Sequence, residues 1–285
     1  MPVTEFSPTL HADGTIGAIL AQPAYALADA RLLPLLAPAG IATDWLSGRY
    51  LLARCGAQSE RERAEHWSLY LRQALYITRG KVVQEEPTAP GQVALEVILS
   101  NPQEPGMRWL AEQPAGAVVN LLGPLGQGYQ LHPTTRNLLL VTDTFYAPIL
   151  LALAERMLDR NGRVTLLIQA ANQVAATLRE YWPIPVELRL ATSEREWQHH
   201  LQETIRWSDQ LCIALPNREH AGLLAAIRKL RFHLDGGYAQ TLVQTDLLCG
   251  VGACLACVVP TPDGGYTRAC IHGPVFDLAQ LHKMG

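Results

Sequence analysis

The sequence predicts a chain that joins an α+β part to an α/β part. A small antiparallel β-barrel comes first, then a doubly wound parallel α/β domain of nucleotide-binding type, then a small C-terminal loop module. We place these at residues 1–132, 133–240 and 241–285. Three observations carry this reading. Short β-rich runs broken by Pro and Gly fill the first part. Strand and helix patterns alternate from Asn137 onward. Four of the six cysteines fall between Cys249 and Cys270.

In the first part, Gly48–Cys55, Leu75–Thr78 and Val93–Leu99 read as strands, with a Pro/Gly-rich turn at Glu86–Gly91. The Leu/Ala/Pro-rich stretch Ala24–Ala42 carries no decisive pattern. Arg61–Glu65 reads as a solvated loop or helix face. In the second part Asn137–Asp143 is a short buried-type strand. Ala147–Arg160 is apolar at helical spacing and stops at Asn161-Gly162, a helix C-cap signal. Arg163–Gln169 is the next strand, and a helix follows to about Tyr181. Pro185–Ala191 is a third strand. Ser193 ahead of Glu194 and Glu196 reads as an N-cap with an acidic first turn. Gln210–Leu215 is a fourth strand, Ala221–Leu234 a helix and Tyr238–Thr245 a last strand.

Composition narrows the function. Apolar residues make up 48% of the 285, charged residues 17%, and the formal net charge is −3. A nucleic-acid or anionic-membrane surface would favour a basic patch, which this balance does not suggest. The longest apolar stretch, Leu32–Ala42, is broken by Pro34 and Pro38 and is too short to span a bilayer. The N-terminus lacks the basic start and apolar run of a signal peptide, so a cytoplasmic protein is expected. Its cysteines are then free thiols or metal ligands rather than disulfides. No G-x-S-x-G, H-E-x-x-H or paired-carboxylate motif suggests a hydrolase. His199-His200 reads as part of a surface helix and His272 as solvent-facing.

The cysteine spacing is Cys249-x4-Cys254-x2-Cys257-x12-Cys270. The first three match the C-x4-C-x2-C run of plant-type [2Fe–2S] proteins, with a fourth ligand further on. Gly250 and Gly252 suit a loop that wraps a cluster: they tolerate positive φ and let backbone N–H groups turn towards sulfur. Asp263-Gly264 is a hairpin signal, and Val258–Pro260 and Tyr266–Arg268 would flank it, bringing Cys270 back to the others. Zinc also takes four cysteines, usually as two C-x2-C knuckles. Only one pair here has that spacing, so [2Fe–2S] is preferred. Cys55 and Cys212 lie in apolar runs and read as buried structural thiols.

The order barrel, α/β domain, cysteine loop resembles the electron-transfer subunit of dihydroorotate dehydrogenase, within the ferredoxin reductase-like flavoproteins. The resemblance rests on Cys249–Cys257, on Cys270 followed by Gly273-Pro274-Val275-Phe276, and on Gly123–Tyr129, which is similar to a G-P-L-G-x-G-F segment. Ser47–Leu51 is similar to that family's P-G-Q-F-V start. The resemblance implies an oxidoreductase component of pyrimidine biosynthesis. It would carry electrons between a nicotinamide nucleotide and a partner's flavin, through an FAD on the barrel and a [2Fe–2S] cluster held by Cys249, Cys254, Cys257 and Cys270. It also implies that Tyr50, Arg72, Gln73, Tyr76, Gly123, Pro124 and Gly126 lie on the flavin face, with Trp109 a further stacking candidate. Gly273–Phe276 would be part of the partner contact.

Four segments depart from the family pattern. Gln73-Ala74-Leu75-Tyr76 stands where R-P-x-S is expected, with Arg72 one position early. Only one glycine of a G-x-G-T survives near Pro105–Trp109. Thr142-Asp143-Thr144-Phe145-Tyr146-Ala147-Pro148 replaces G-G-x-G-x-A-P, and Ala214-Leu215-Pro216 replaces C-G-P. Each lost charge-assisted phosphate hydrogen bond is worth about 1.5–3 kcal/mol, so several weaken nucleotide binding by about three powers of ten. This argues against NAD(P)H at the usual place and leaves FAD open. Two readings follow. One is an electron-transfer subunit docked to a dihydroorotate dehydrogenase-like oxidoreductase. The other is a non-enzymatic iron–sulfur redox sensor or structural module whose flavin and nicotinamide sites have decayed.

Overall fold

The computed structural model describes residues 7–39, 41, 47–56, 59, 61–62, 65–83, 91–101, 103–170, 175–231 and 233–281. Six antiparallel strands close into a barrel: β1 (Ile16–Leu20), β2 (Ala30–Pro38), β3 (Tyr50–Ala53), β4 (Gln73–Val83), β5 (Gln92–Leu99) and β6 (Val118–Leu125). Around the barrel the order is β1-β6-β3-β4-β5-β2, and β2 returns to β1 through Ile19↔Leu36 and Leu20↔Leu35. Two short strands, Thr9–Leu10 and Tyr25–Leu27, extend its margins.

All four residues of β3 are buried because both of its faces are covered. Leu51 and Ala53 point into the barrel with Ile16, Leu33, Leu75, Val97 and Leu121. Tyr50 and Leu52 point outward into a second core, which is shared with the α/β part. This explains why the strand reads as an unbroken apolar run rather than an alternating one.

The segment Ala24–Ala42, which the sequence left unassigned, supplies β2. Pro34 has no N–H to give to a ladder. In the fold β2 pairs with β1 only beyond it, at Leu35 and Leu36. Residues 105–111, expected near a glycine-rich turn, instead form the helix α1 (Pro105–Ala111). Of the expected turn at Glu86–Gly91, residues 86–90 lie outside the described residues, as do Arg63 and Ala64.

The second sheet contains β7 (Asn137–Asp143), β8 (Arg163–Gln169), β9 (Glu187–Ala191), β10 (Gln210–Ala214) and β11 (Ala239–Leu242), all parallel, in the order β9-β8-β7-β10-β11. Helices α2 (Leu151–Asp159), α3 (Ala175–Tyr181), α4 (Glu194–Trp207) and α5 (His220–Leu230) connect them. Ser193 caps α4, its hydroxyl accepting from Glu196 N at 3.3 Å, as expected. Helix α5 ends at Leu230, short of the expected Leu234. The guanidinium of Arg231 is drawn away to the carbonyls of Ser208 (2.8 Å) and Ile205 (3.2 Å) and lies over the Tyr238 ring.

The tail adds a hairpin, β12 (Val258–Pro260) and β13 (Tyr266–Arg268), and a final strand, β14 (Val275–Asp277). The hairpin turns at Asp263-Gly264 as predicted, with Gly264 at φ +80°. Strand β14 joins the second sheet antiparallel to β11 (Thr241↔Phe276).

The barrel and the α/β part are clamped directly. Glu96 on β5 accepts hydrogen bonds from the Tyr181 hydroxyl at the end of α3 and from the Tyr25 hydroxyl. Arg79 on β4 pairs with Glu155 on α2 at 2.5 Å. The Thr144 hydroxyl, just beyond β7, donates to Asp29 beside β2. Among the described residues, no helix is long and apolar enough to cross a membrane.

Candidate functional site

The loop from Cys249 to Cys257 is shaped by its glycines. Gly250 and Gly252 adopt φ of +71° and +74°. A Cβ on Gly250 would come within 2.6 Å of Leu125 Cδ1, and one on Gly252 would run into Ile271 and Arg268. The loop is therefore pressed on the barrel at one glycine and on its own hairpin at the other. This folding turns the backbone N–H groups of Cys254, Val251 and Ala253 towards the sulfur of Cys249. They lower that thiol to about 6, the Cys254 N–H being the largest influence.

The cysteines form two pairs. Cys249 Sγ and Cys254 Sγ are 3.4 Å apart at the surface. The buried Cys270 donates its backbone N–H to the sulfur of the buried Cys257 at 3.5 Å, and burial pushes the Cys270 thiol up to about 12. Among the described residues no three Cys, His, Asp or Glu side chains gather closely enough to share a single metal ion. Two pairs of thiols suit a two-iron core, with two thiolates per iron. The donor set, the inward-turned N–H groups and the close-packed glycines fit a [2Fe–2S] cluster better than one tetrahedral zinc.

The module is anchored firmly on its inner side. The Tyr50 hydroxyl donates to Cys270 O at 3.3 Å. Gln127 N donates to Gly273 O at 2.5 Å, and Val243 N to Pro274 O at 2.9 Å. Gly273, Pro274 and Val275 are buried, and Val275 packs against Gly48. Sheet pairing and barrel packing consume Gly273, Pro274 and Val275, while Phe276 stays half-buried. The outer side is open: residues 253–256, Leu255 among them, are all exposed, and so is Val251. His272 is exposed as expected, its Nδ1 3.0 Å from the Thr267 hydroxyl.

The residues expected on the flavin face are tied into the protein itself. Arg72 donates to Leu52 O (3.0 Å), Asn120 O (3.4 Å) and Asn120 Oδ1 (2.8 Å). The Gln73 side chain packs on Gly106 of α1, leaving no room there for a Cβ. Tyr50 is fully buried and meets Tyr76 edge-on at 6.4 Å. Tyr76 is 3% exposed, and its hydroxyl is shifted upward by burial, then by neighbouring Tyr146 and Tyr50. Gly123 and Gly126 hold positive φ, and a Cβ on Gly126 would strike Gly273 O at 2.6 Å. Pro124 O accepts from Arg49 at 2.9 Å. The Gly123–Gly126 segment thus serves as the seat of the cysteine module. Trp109 lies on α1 against the barrel core.

The order of the parallel sheet reverses at β7 and β10, and ligands of such sheets bind beyond the strand ends at that point. A cavity of about 400 Å³ lies there, lined by Asp143, Thr144, Ser193, Glu194, Arg218 and Glu219 among others. Asp143 Oδ1 accepts the backbone N–H groups of Phe145 (3.0 Å) and Tyr146 (2.8 Å). Its carboxyl is raised, first by burial. The Thr142 hydroxyl is turned to Ala214 O at 2.9 Å. Cys55 and Cys212 are buried thiols, as expected.

Sequence reasoning missed two features. His220 is buried, with Nε2 2.9 Å from the Thr241 hydroxyl, and burial lowers it to about 4. Its helix-start position gave no sign of this. A second cavity, of about 660 Å³, flanks the tail and is lined by Gln127, His132, Gln240, His272 and Asp277 among others. Its lining comes from three separate segments, which no local pattern links.

Comparison with known proteins agrees with this geometry. Residues 245–282 match the model of the iron-sulfur cluster binding domain of dihydroorotate dehydrogenase B. A dihydroorotate dehydrogenase B (NAD(+)) electron transfer subunit from Shouchella clausii is 28% identical over 188 residues, 62% of this chain and 70% of that protein. Its counterpart from Geobacillus thermodenitrificans is 26% identical over 191 residues, 65% and 73% of the two chains. Among solved structures, the chain is similar to an NADH-dependent reduced ferredoxin-NADP oxidoreductase, with TM-score 0.68 and 16% identity over 93% of this chain and 90% of that one. It is also similar to phthalate dioxygenase reductase, with TM-score 0.54 and 13% identity over 92% and 78%. These establish the fold as that of the ferredoxin reductase-like flavoproteins. With a cluster-binding tail matched in sequence and seated on that fold, the chain is similar to the dihydroorotate dehydrogenase B electron transfer subunits.

Proposed function

We propose that this chain is the electron-transfer subunit of a two-component oxidoreductase whose catalytic partner resembles dihydroorotate dehydrogenase. The observation that carries this is the paired-cysteine loop, with one side seated on the barrel and the other open to a partner. Cys249 and Cys254 would hold one iron at the surface, and Cys257 and Cys270 the other beneath. When bound, a [2Fe–2S] cluster accepts and releases one electron at a time. The N–H groups around Cys249 favour its thiolate and stabilise negative charge at that edge. Tyr50 and Leu125 close the inner side against water. Val251 and Leu255 supply an apolar rim for docking.

In this reading residues 1–132 form the barrel, 133–240 the α/β domain and 241–285 the cluster module. A cytoplasmic setting belongs to the same proposal, since reducing conditions keep the four thiols available. The test is electron exchange. Chemically reduced holoprotein is mixed without oxygen with a dihydroorotate dehydrogenase-like catalytic subunit, and the visible spectra of both are followed. Reoxidation of this chain with matching reduction of the partner's flavin is expected. A cluster that stays reduced in the partner's presence would defeat the proposal.

A further inference from the structure

At two separate places this chain's own side chains take up the groups a bound dinucleotide would use: on the barrel face, and in the turn after β7 beside the cavity of about 400 Å³. On the barrel side, Tyr76 stands where the family pattern has serine. A hydroxymethyl group is replaced by a phenol ring that is 3% exposed and packed edge-on to Tyr50 beside Tyr146. The arginine nearest the expected phosphate contact, Arg72, spends its guanidinium on Leu52 O and Asn120.

On the α/β side, the turn after β7 has lost three glycines to Thr142, Asp143 and Phe145. Each replacement closes the turn. Asp143 Oδ1 takes the Phe145 and Tyr146 N–H groups, the donors a dinucleotide phosphate would use. The carboxylate is an internal stand-in for that phosphate and repels a real one. Phe145 stacks edge-on with Tyr146 at 4.8 Å, and Thr142 is turned inward to Ala214 O. Thr144 bonds across the crevice to Asp29.

We infer that this chain binds neither FAD nor a nicotinamide dinucleotide, and that its cluster is its only redox group. The inference rests on the cluster-carrying role proposed above. Electrons then enter and leave singly, from a reduced flavin or iron–sulfur centre of a donor protein to an oxidised centre of the same kind in an acceptor. No hydride is taken up, and no bond is made or broken in this chain. Any hydride splitting belongs to a partner. The open edge at Cys254 serves both transfers, so donor and acceptor take turns at one surface or are two centres of one partner.

The test uses the full-length holoprotein, purified without oxygen and brought to equilibrium by dialysis, in separate samples, against FAD and against NADH. Iron, sulfide, flavin and nucleotide per chain are then measured, so that a weakly held flavin still counts. Expected are a full complement of iron and sulfide, no retained flavin or NADH, and a visible spectrum bleached by dithionite but not by NADH. Near-stoichiometric FAD, or bleaching by NADH, with the iron and sulfide intact overturns the inference and leaves the proposed function standing. Absence of iron and sulfide overturns both.

Discussion

At the scale of single residues the account depends on side chains that have no slack. Gly250 holds φ +71° against Leu125. Gly250→Ala combines a left-handed Cβ penalty with that overlap and costs about 2 kcal/mol or more. Urea unfolding will read this loss, and the same variant will lose its cluster faster in air. Cys254 lies at the surface and supports no core, so Cys254→Ala is expected to abolish iron binding while the far-UV spectrum stays unchanged.

His220 sets a pH dependence. Its folded value is lowered to about 4 from 6.5 because the imidazolium would be buried. The unfolded chain therefore binds more protons between those values. Stability is complete above 6.5 and falls as pH drops towards 4, by up to about 3 kcal/mol. His220→Gln should flatten that slope, as measured by denaturant midpoints across the range. An unchanged slope would count against a buried neutral imidazole.

At the scale of elements, the clamp between β5 and α3 is a single carboxylate. Glu96 accepts from tyrosines that come from two other parts of the chain. Glu96→Ala leaves both hydroxyls without that partner and costs about 2 kcal/mol. Iron content should be unaffected, because the clamp makes no contact with the cysteine module. Scanning calorimetry together with iron analysis checks both halves of this expectation.

Element legibility in the sequence followed how local each signal is. The strands β7, β8 and β10 and the N-cap at Ser193 could be read because apolar runs, Asn-Gly and Ser-x-x-Glu act over a few residues. The cysteine loop could be read because two irons dictate ligand number and spacing. Strand β2 could not, because Pro34 is harmless only in a pairing pattern the sequence does not display. The end of α5 could not, because Arg231 is pulled away by carbonyls and a ring from other elements. The flavin-face residues were located in the barrel, but their bonding was invisible. Arg72 looks the same in sequence whether it meets a phosphate or Asn120.

At the scale of the whole molecule, the fold is ferredoxin reductase-like, with its last strand used as a fastener. Strand β14 adds to the edge of the second sheet, and Gly273 and Pro274 bond to the barrel and to the strand-end segment at Val243. The cysteine module is thereby locked to both larger parts, while residues 253–256 stay open. This geometry favours electron exchange with another protein over chemistry inside this chain.

The most direct test is the metal inventory of protein purified without oxygen, combined with electron paramagnetic resonance after dithionite reduction. The account predicts two irons and two sulfides per chain with a spin-half signal, all lost in Cys254→Ala. A colourless protein carrying one zinc per chain and silent in resonance would contradict it.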